Sequence, residues 1–92
     1  MEIEFDQHKD RQNLRQHGRS LAFAAQLDWE WAYCWKDTRF HYDEVRMNSL
    51  VPSESGLFFV AYVERGDCIR ILSLRKAKNA ERSLYARVFD VE

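Results

Sequence analysis

Cysteine is nearly absent from this chain, and its two copies, Cys34 and Cys68, form no Cys-x-x-Cys pair. The three histidines, His8, His17 and His41, supply no His-x-x-x-His spacing either. These absences argue against a zinc site or a disulfide framework, so the cysteines are expected to be small buried apolar residues and no metal or cofactor is expected. No apolar run approaches the ~18 residues of a membrane-spanning helix. The opening Met1-Glu-Ile-Glu-Phe-Asp6 lacks the basic and apolar regions of a signal peptide, so a cytoplasmic protein is expected. There is no Gly-rich phosphate loop, no Ser/His/Asp arrangement with a recognisable elbow, and no pair of metal-binding carboxylates. Repeats, linkers and low-complexity segments are missing too.

What is present suits one folded domain over residues 1–92: hydrophobic content of 46%, charged content of 32%, and three Trp, four Tyr and six Phe to enlarge a modest core. The net charge of −1 conceals two basic runs. One holds Lys9, Arg11, Arg15 and Arg19 against Asp10; the other holds Arg65, Arg70, Arg75, Lys76, Lys78, Arg82 and Arg87 against Asp67 and Glu81. Acidic residues gather between them, at Asp28, Glu30, Asp37, Asp43 and Glu44. Basic patches on a near-neutral chain point to phosphate or an acidic partner.

Along the chain, Glu2 to Phe5 alternates and suits an edge strand. Asp6 caps a first helix through about Gln16, ended by His17-Gly18. Ser20 caps a shorter second helix from Leu21 to about Leu27. The alternating aromatics Trp29, Trp31, Tyr33 and Trp35 predict a half-buried strand. Lys36 to Tyr42 reads as a turn, and Glu44 to Leu50 as a second strand. Val51 to Gly56 is a further turn. Leu57 to Val63 is apolar without alternation, which predicts a central strand buried on both faces. Arg65-Gly-Asp67 makes a hairpin into a fourth strand, Cys68 to Arg75, and Lys78 to about Val88 forms a last helix. Consecutive strands with such short connections are antiparallel. The expected class is therefore α+β: two N-terminal helices, an antiparallel sheet of about four strands and a C-terminal helix. Trp31, Tyr33, Trp35, Phe59, Ala61, Ile69, Ile71, Leu72 and Leu84 are the expected core.

An arginine inside an apolar strand, as Arg70 is, is costly unless paired or aimed at an anion. Arg70, Arg75 and Lys76 are therefore the leading functional candidates, with His17 and Tyr85 as further catalytic candidates and Lys9, Arg46 and Arg82 as phosphate-binding ones. His17 has a second reading as a cation at a helix C-terminus. Arg82 and Tyr85 share a helix face at i, i+3 and complete either a site or a rim. Glu44 and Glu81 read as partners of Arg46, Arg70 or Arg82 before they read as catalysts, and Asn13 reads as structural. This inventory suits cleavage of a phosphodiester by its own 2′-hydroxyl, which needs a base, an acid and cations but no metal.

The ordered set Asp6-x-x-Lys9, Asn13-x-x-x-His17-Gly18, Glu44-x-Arg46 and the stretch from Cys68 to Tyr85 resembles the BrnT family of small toxins. Near the C-terminus Arg70, Ser73, Arg75, Ala77, Glu81, Arg82 and Tyr85 occupy the family's places. Lys78 departs where a capping Thr or Asn is usual, with Asn79 as a substitute cap. Asn48-Ser49-Leu50 departs where a glycine is common, which bears on local strand geometry. The resemblance implies a RelE/ParE-like fold and a metal-independent endoribonuclease that arrests growth. It further implies neutralisation by an antitoxin, BrnA, with a ribbon-helix-helix domain, in a complex of two copies of each chain that binds operator DNA. Two other classes stay open: an inactive scaffold for an acidic partner, and a ParE-like topoisomerase inhibitor.

Overall fold

The structure, a computed structural model, describes residues 1–39 and 43–89. His41 and the end of the Lys36–Tyr42 turn lie outside the described residues. Strand β1 (Glu2–Glu4) leads into helix α1 (Gln7–His17), two 3₁₀ segments follow (Leu21–Gln26 and Trp29–Trp31), then β2 (Tyr33–Lys36), β3 (Arg46–Ser53), β4 (Gly56–Arg65), β5 (Cys68–Lys76) and helix α2 (Asn79–Phe89). They form one five-stranded sheet in the order β1-β5-β4-β3-β2. The α+β class is as expected, but the sheet is mixed: β1 runs parallel to β5, and the other pairs are antiparallel. The parallel pair escapes the short-connection argument because most of the chain separates its two strands.

Helix α1 starts as its cap residue dictates. The Asp6 side chain accepts from the Lys9 N–H at 3.0 Å, and Gly18 ends the helix at φ 74° with its N–H on the Leu14 carbonyl. Ser20 caps the next segment through the Ala22 N–H, but that segment is 3₁₀ rather than a second α-helix. Asp10 binds it from α1, accepting from Ser20 Oγ at 2.8 Å and the Leu21 N–H at 2.6 Å.

The aromatic alternation corresponds to a strand only from Tyr33 onward. Trp29–Trp31 winds into a 3₁₀ turn because Asp28 N–H bonds the Pro52 carbonyl and the Trp29 indole N–H bonds Ala24 O at 2.8 Å. Trp31 is consequently 57% exposed, not core. Strand β3 is longer than expected and runs through Pro52, tolerated because β2 pairs only as far as Leu50. Its pairing with β4 is unbroken from Arg46 to Ser53, so Asn48-Ser49-Leu50 sits in regular strand.

One sheet face packs on α1 and the 3₁₀ segments. There Phe58, Val60, Tyr62, Ile69, Ile71, Leu74 and Val51 join Leu21, Ala24 and Leu27 in the core. Strand β4 is central as expected and dry on that face, but on the other only Val63 is buried, while Leu57, Phe59 and Ala61 are half-buried. The expected core therefore needs correcting: Ile69 and Ile71 belong to it, whereas Tyr33, Trp35, Phe59, Ala61, Leu72 and Leu84 are half-buried. Leu72 stands outside the core by plain alternation, one residue past the inward-facing Ile71. A β-bulge between Ala61 and Tyr62 on β4 and the opposing Ser73 and Ile71 then resets the alternation, so Ser73 turns outward and Leu74 inward. Among the described residues no helix is long and apolar enough to cross a membrane.

Candidate active site

The half-open face of the sheet gathers several of the candidate residues. Its residues fall into three cross-strand rows: Arg46–Val63–Arg70, then Asn48–Ala61–Ser73, then Leu50–Phe59–Arg75. A two-residue step along a strand separates neighbouring rows, about 7 Å. Two concavities open here. The larger, about 430 Å³, is bordered by Lys9, Asp43, Glu44, Arg46, Arg65 and Arg70. The smaller, about 250 Å³, adjoins it through Lys9, Arg46 and Leu72 and extends over Asn48, Phe59, Ala61 and Ser73.

Three predicted cations meet at this place. Lys9 comes from the first turn of α1, Arg46 from the start of β3 and Arg70 from within β5. Lys9 reaches the cleft because α1 is fixed to the outer edge of β5 by Asn13. That side chain donates to Leu74 O at 2.8 Å and accepts from the Leu74 N–H at 3.0 Å. The Arg70 side chain is 30% exposed, pairs with Glu4 at 3.6 Å and also borders the larger cavity. The Lys9 ammonium has no ion-pair partner among the described residues. Asp37, which borders the smaller cavity, accepts from two guanidinium nitrogens of Arg39, at 2.9 and 2.8 Å.

The other candidates stand elsewhere. Arg75 occupies the same face but is engaged: it makes a bidentate contact with Glu81 at 2.8 and 2.9 Å and stacks 4.4 Å from the Phe59 ring centroid. Lys76, the next residue along the strand, points to the opposite face, where its ammonium donates to Ser55 O at 2.8 Å. His17 is exposed at the far end of α1, eight residues and about 12 Å along the axis from Lys9. Tyr85 donates its hydroxyl to Trp31 O at 2.7 Å and packs on Phe89. Burial, and then the Asp28 charge, push its phenol upward. Arg82 closes the turn before α2, donating to Ala77 O at 2.8 Å and to Asn79 Oδ1. Asn79 is therefore no cap; it is the first helical residue, and its side chain is occupied by Arg82.

The two glutamates are paired, but not with the expected partners. Glu44 takes Arg65 at 2.6 Å. Glu81 takes Arg75 and also accepts the Lys78 N–H at 2.8 Å, the glutamate half of a capping box that survives the loss of Thr at Lys78. Arg75 hydrogen bonds hold the Glu81 carboxyl below the usual carboxylate range, against the opposing effect of burial. Among the described residues no group of three His, Cys, Asp or Glu is placed to hold a metal ion. Asn48, buried on this face beside the smaller cavity, is not marked in the sequence, because a single asparagine within a strand has no distinguishing pattern.

The sequence model of the family described as "Ribonuclease toxin, BrnT, of type II toxin-antitoxin system" matches residues 5–81, which takes in Lys9, Arg46, Arg70, Arg75 and Glu81. No curated protein matches the chain.

Proposed function

We propose that this chain, which belongs to the BrnT family of ribonuclease toxins of type II toxin–antitoxin systems, cuts RNA at the cleft between α1, β3 and β5. The observation that carries this reading is the convergence of Lys9, Arg46 and Arg70 from three elements on one concavity. The reaction is metal-independent. The RNA 2′-oxygen attacks the adjacent phosphorus, the P–O2′ bond forms and the P–O5′ bond breaks, leaving a 2′,3′-cyclic phosphate and a 5′-hydroxyl. Charge builds on the non-bridging oxygens, where preorganised cations lower the barrier most. Lys9 is the group suited to protonate the leaving 5′-oxygen, and Asp43, on the rim of the same cleft, to accept the 2′ proton. Arg75, Arg82 and Tyr85 act as positioning residues that hold α2 and the Phe59 wall. Lys76 and His17 stand outside the cleft.

Family membership brings a protein antitoxin and an RNA target as partners. We take the fold as RelE-like, the antitoxin as a BrnA-type ribbon-helix-helix protein that binds operator DNA, and the place of action as the cytoplasm. The basic cleft is what such an antitoxin must mask.

Incubation with total RNA in EDTA tests the reading. Lys9→Ala, Arg46→Ala and Arg70→Ala should each slow cleavage ~10²-fold, with the far-UV circular dichroism spectrum unchanged and Lys76→Ala near the parental rate. Equal rates in all four variants would remove the cleft as the site. No cleavage, with gyrase inhibited, would favour the ParE-like reading; neither activity would leave a scaffold for an acidic partner.

A further inference from the structure

We propose that the smaller cavity is a nucleobase pocket in which Asn48 reads the base beside the scissile phosphate, an inference that rests on the ribonuclease reading above. Four polar residues are buried among the described residues: Asn13, Asp37, Asn48 and Ser49. Three of them are committed. Asn13 holds Leu74 and Arg19, Asp37 holds Arg39, and the Ser49 hydroxyl donates to Val60 O at 2.9 Å. Asn48 is 7% exposed, yet its side chain makes no hydrogen bond to another described residue. A buried amide without a partner is costly. No buried side-chain nitrogen or oxygen among the described residues is sealed away unpartnered, so the small opening left to the Asn48 amide is toward the cavity it borders.

The surroundings fit a base. Asn48 lies across from Ala61, and Ala61 from Ser73, so a row of small side chains makes the hollow. The Arg46–Arg70 row flanks it on one side, one strand step of about 7 Å away. That step suits a phosphate on the cations with its base over Ala61. Phe59 flanks the other side and offers a ring for stacking, backed by Trp35 at 6.0 Å. The volume, about 250 Å³, lies below the ~300 Å³ at which drug-sized pockets begin and suits one flat ring. A carboxamide presents a donor beside an acceptor, and its bidentate match is the N6 and N7 edge of adenine. Single-stranded RNA exposes that edge.

Isotopically labelled protein titrated with the four nucleoside 5′-monophosphates and with inorganic phosphate tests this by amide chemical shifts. All five ligands should shift the amides around Arg46 and Arg70. Adenosine monophosphate should also shift the Asn48 side-chain amide and bind about fivefold tighter or more, the lower end of what a bidentate base contact discriminates. Asn48→Ala should bind the four alike with the phosphate response kept. Ala61→Leu, which fills the hollow and leaves Asn48 in place, should do the same, so one misfolded variant does not decide the matter. Equal affinities in the parental protein, or a preference that survives in Asn48→Ala, would overturn the pocket. Cleavage of a randomised single-stranded RNA separates the two readings. Cutting without base bias removes the pocket and keeps the ribonuclease; base-selective binding without cutting does the reverse.

Discussion

Asn13 shows how one side chain can stand in for a strand. Strand β1 covers the outer edge of β5 only from Cys68 to Arg70, which leaves the Leu74 N–H and carbonyl without a ladder partner. The Asn13 carboxamide, chemically a peptide group, bonds both and also donates to Arg19 O at 2.9 Å. The same contact fixes α1 and so places Lys9 at the cleft. Asn13→Ala strands these backbone groups, two of them fully inside, and should cost about 3 kcal/mol. In urea the midpoint should fall while the slope stays constant. Asn13→Asp should be no better, because a carboxylate accepts from the Leu74 N–H but opposes two carbonyl oxygens. A loss under 1 kcal/mol in both variants would show that the edge closes without this residue. The structural reading of Asn13 was legible in the sequence, but its partner, 61 residues away, was not.

At the scale of the element, α2 is the weakly attached piece. None of its residues is fully buried. It is tied to the sheet through the Arg75–Glu81 pair and the Ala77 N–H on Leu57 O, and to the 3₁₀ turn through Tyr85 on Trp31 O. The Glu81 carboxyl is depressed mainly by its Arg75 hydrogen bonds, so the charged form is the one the fold favours. Its contribution is complete above the ordinary glutamate value of about 4.3 and disappears as pH falls through the lower folded value. Thermal midpoints of the parental protein and Glu81→Gln should therefore differ at pH 7, by the equivalent of about 1.5 kcal/mol, and converge in acid. A gap that stays constant down to pH 3 would mean that the pair is not what holds α2. The boundaries of α1, β4, β5 and α2 were readable from caps, turns and apolar runs. The Trp29–Trp31 turn was not, because its cause is a contact with Pro52, 24 residues from Asp28.

For the whole molecule, the two sheet faces divide the work: one is sealed by α1 and the 3₁₀ segments, and the other presents cations and a hollow. Among the described residues β2 is an edge strand whose outer side carries no pairing partner, a template on which another chain can add a strand. An antitoxin that dimerises through a ribbon-helix-helix domain would bring two toxins together, giving two copies of each chain. Light-scattering mass of the co-expressed pair should report that 2:2 assembly, and association should slow as salt rises, since the cleft is cationic. A toxin that elutes as a monomer beside an intact partner at micromolar concentration would refute the assembly.

The sequence by itself determined the class and the order of elements, because caps, glycines and apolar runs act over a few residues. It also pointed to a phosphate or an acidic partner, since an arginine within an apolar strand and two basic runs are local facts that survive any folding. The tertiary structure decided which cations stand together. Lys9, Arg46 and Arg70 meet through strand register and the Asn13 contact, whereas the adjacent Arg75 and Lys76 part because successive strand residues face opposite sides. It likewise decided the core, because the uniformly apolar Leu57–Val63 run gives no alternation to mark an inner face, and a single bulge turns Leu74 inward in place of Ser73. The state of Asn48 was decided there as well: whether a buried amide has a partner depends on what the fold brings within 3 Å of it, and no spacing along the chain encodes that.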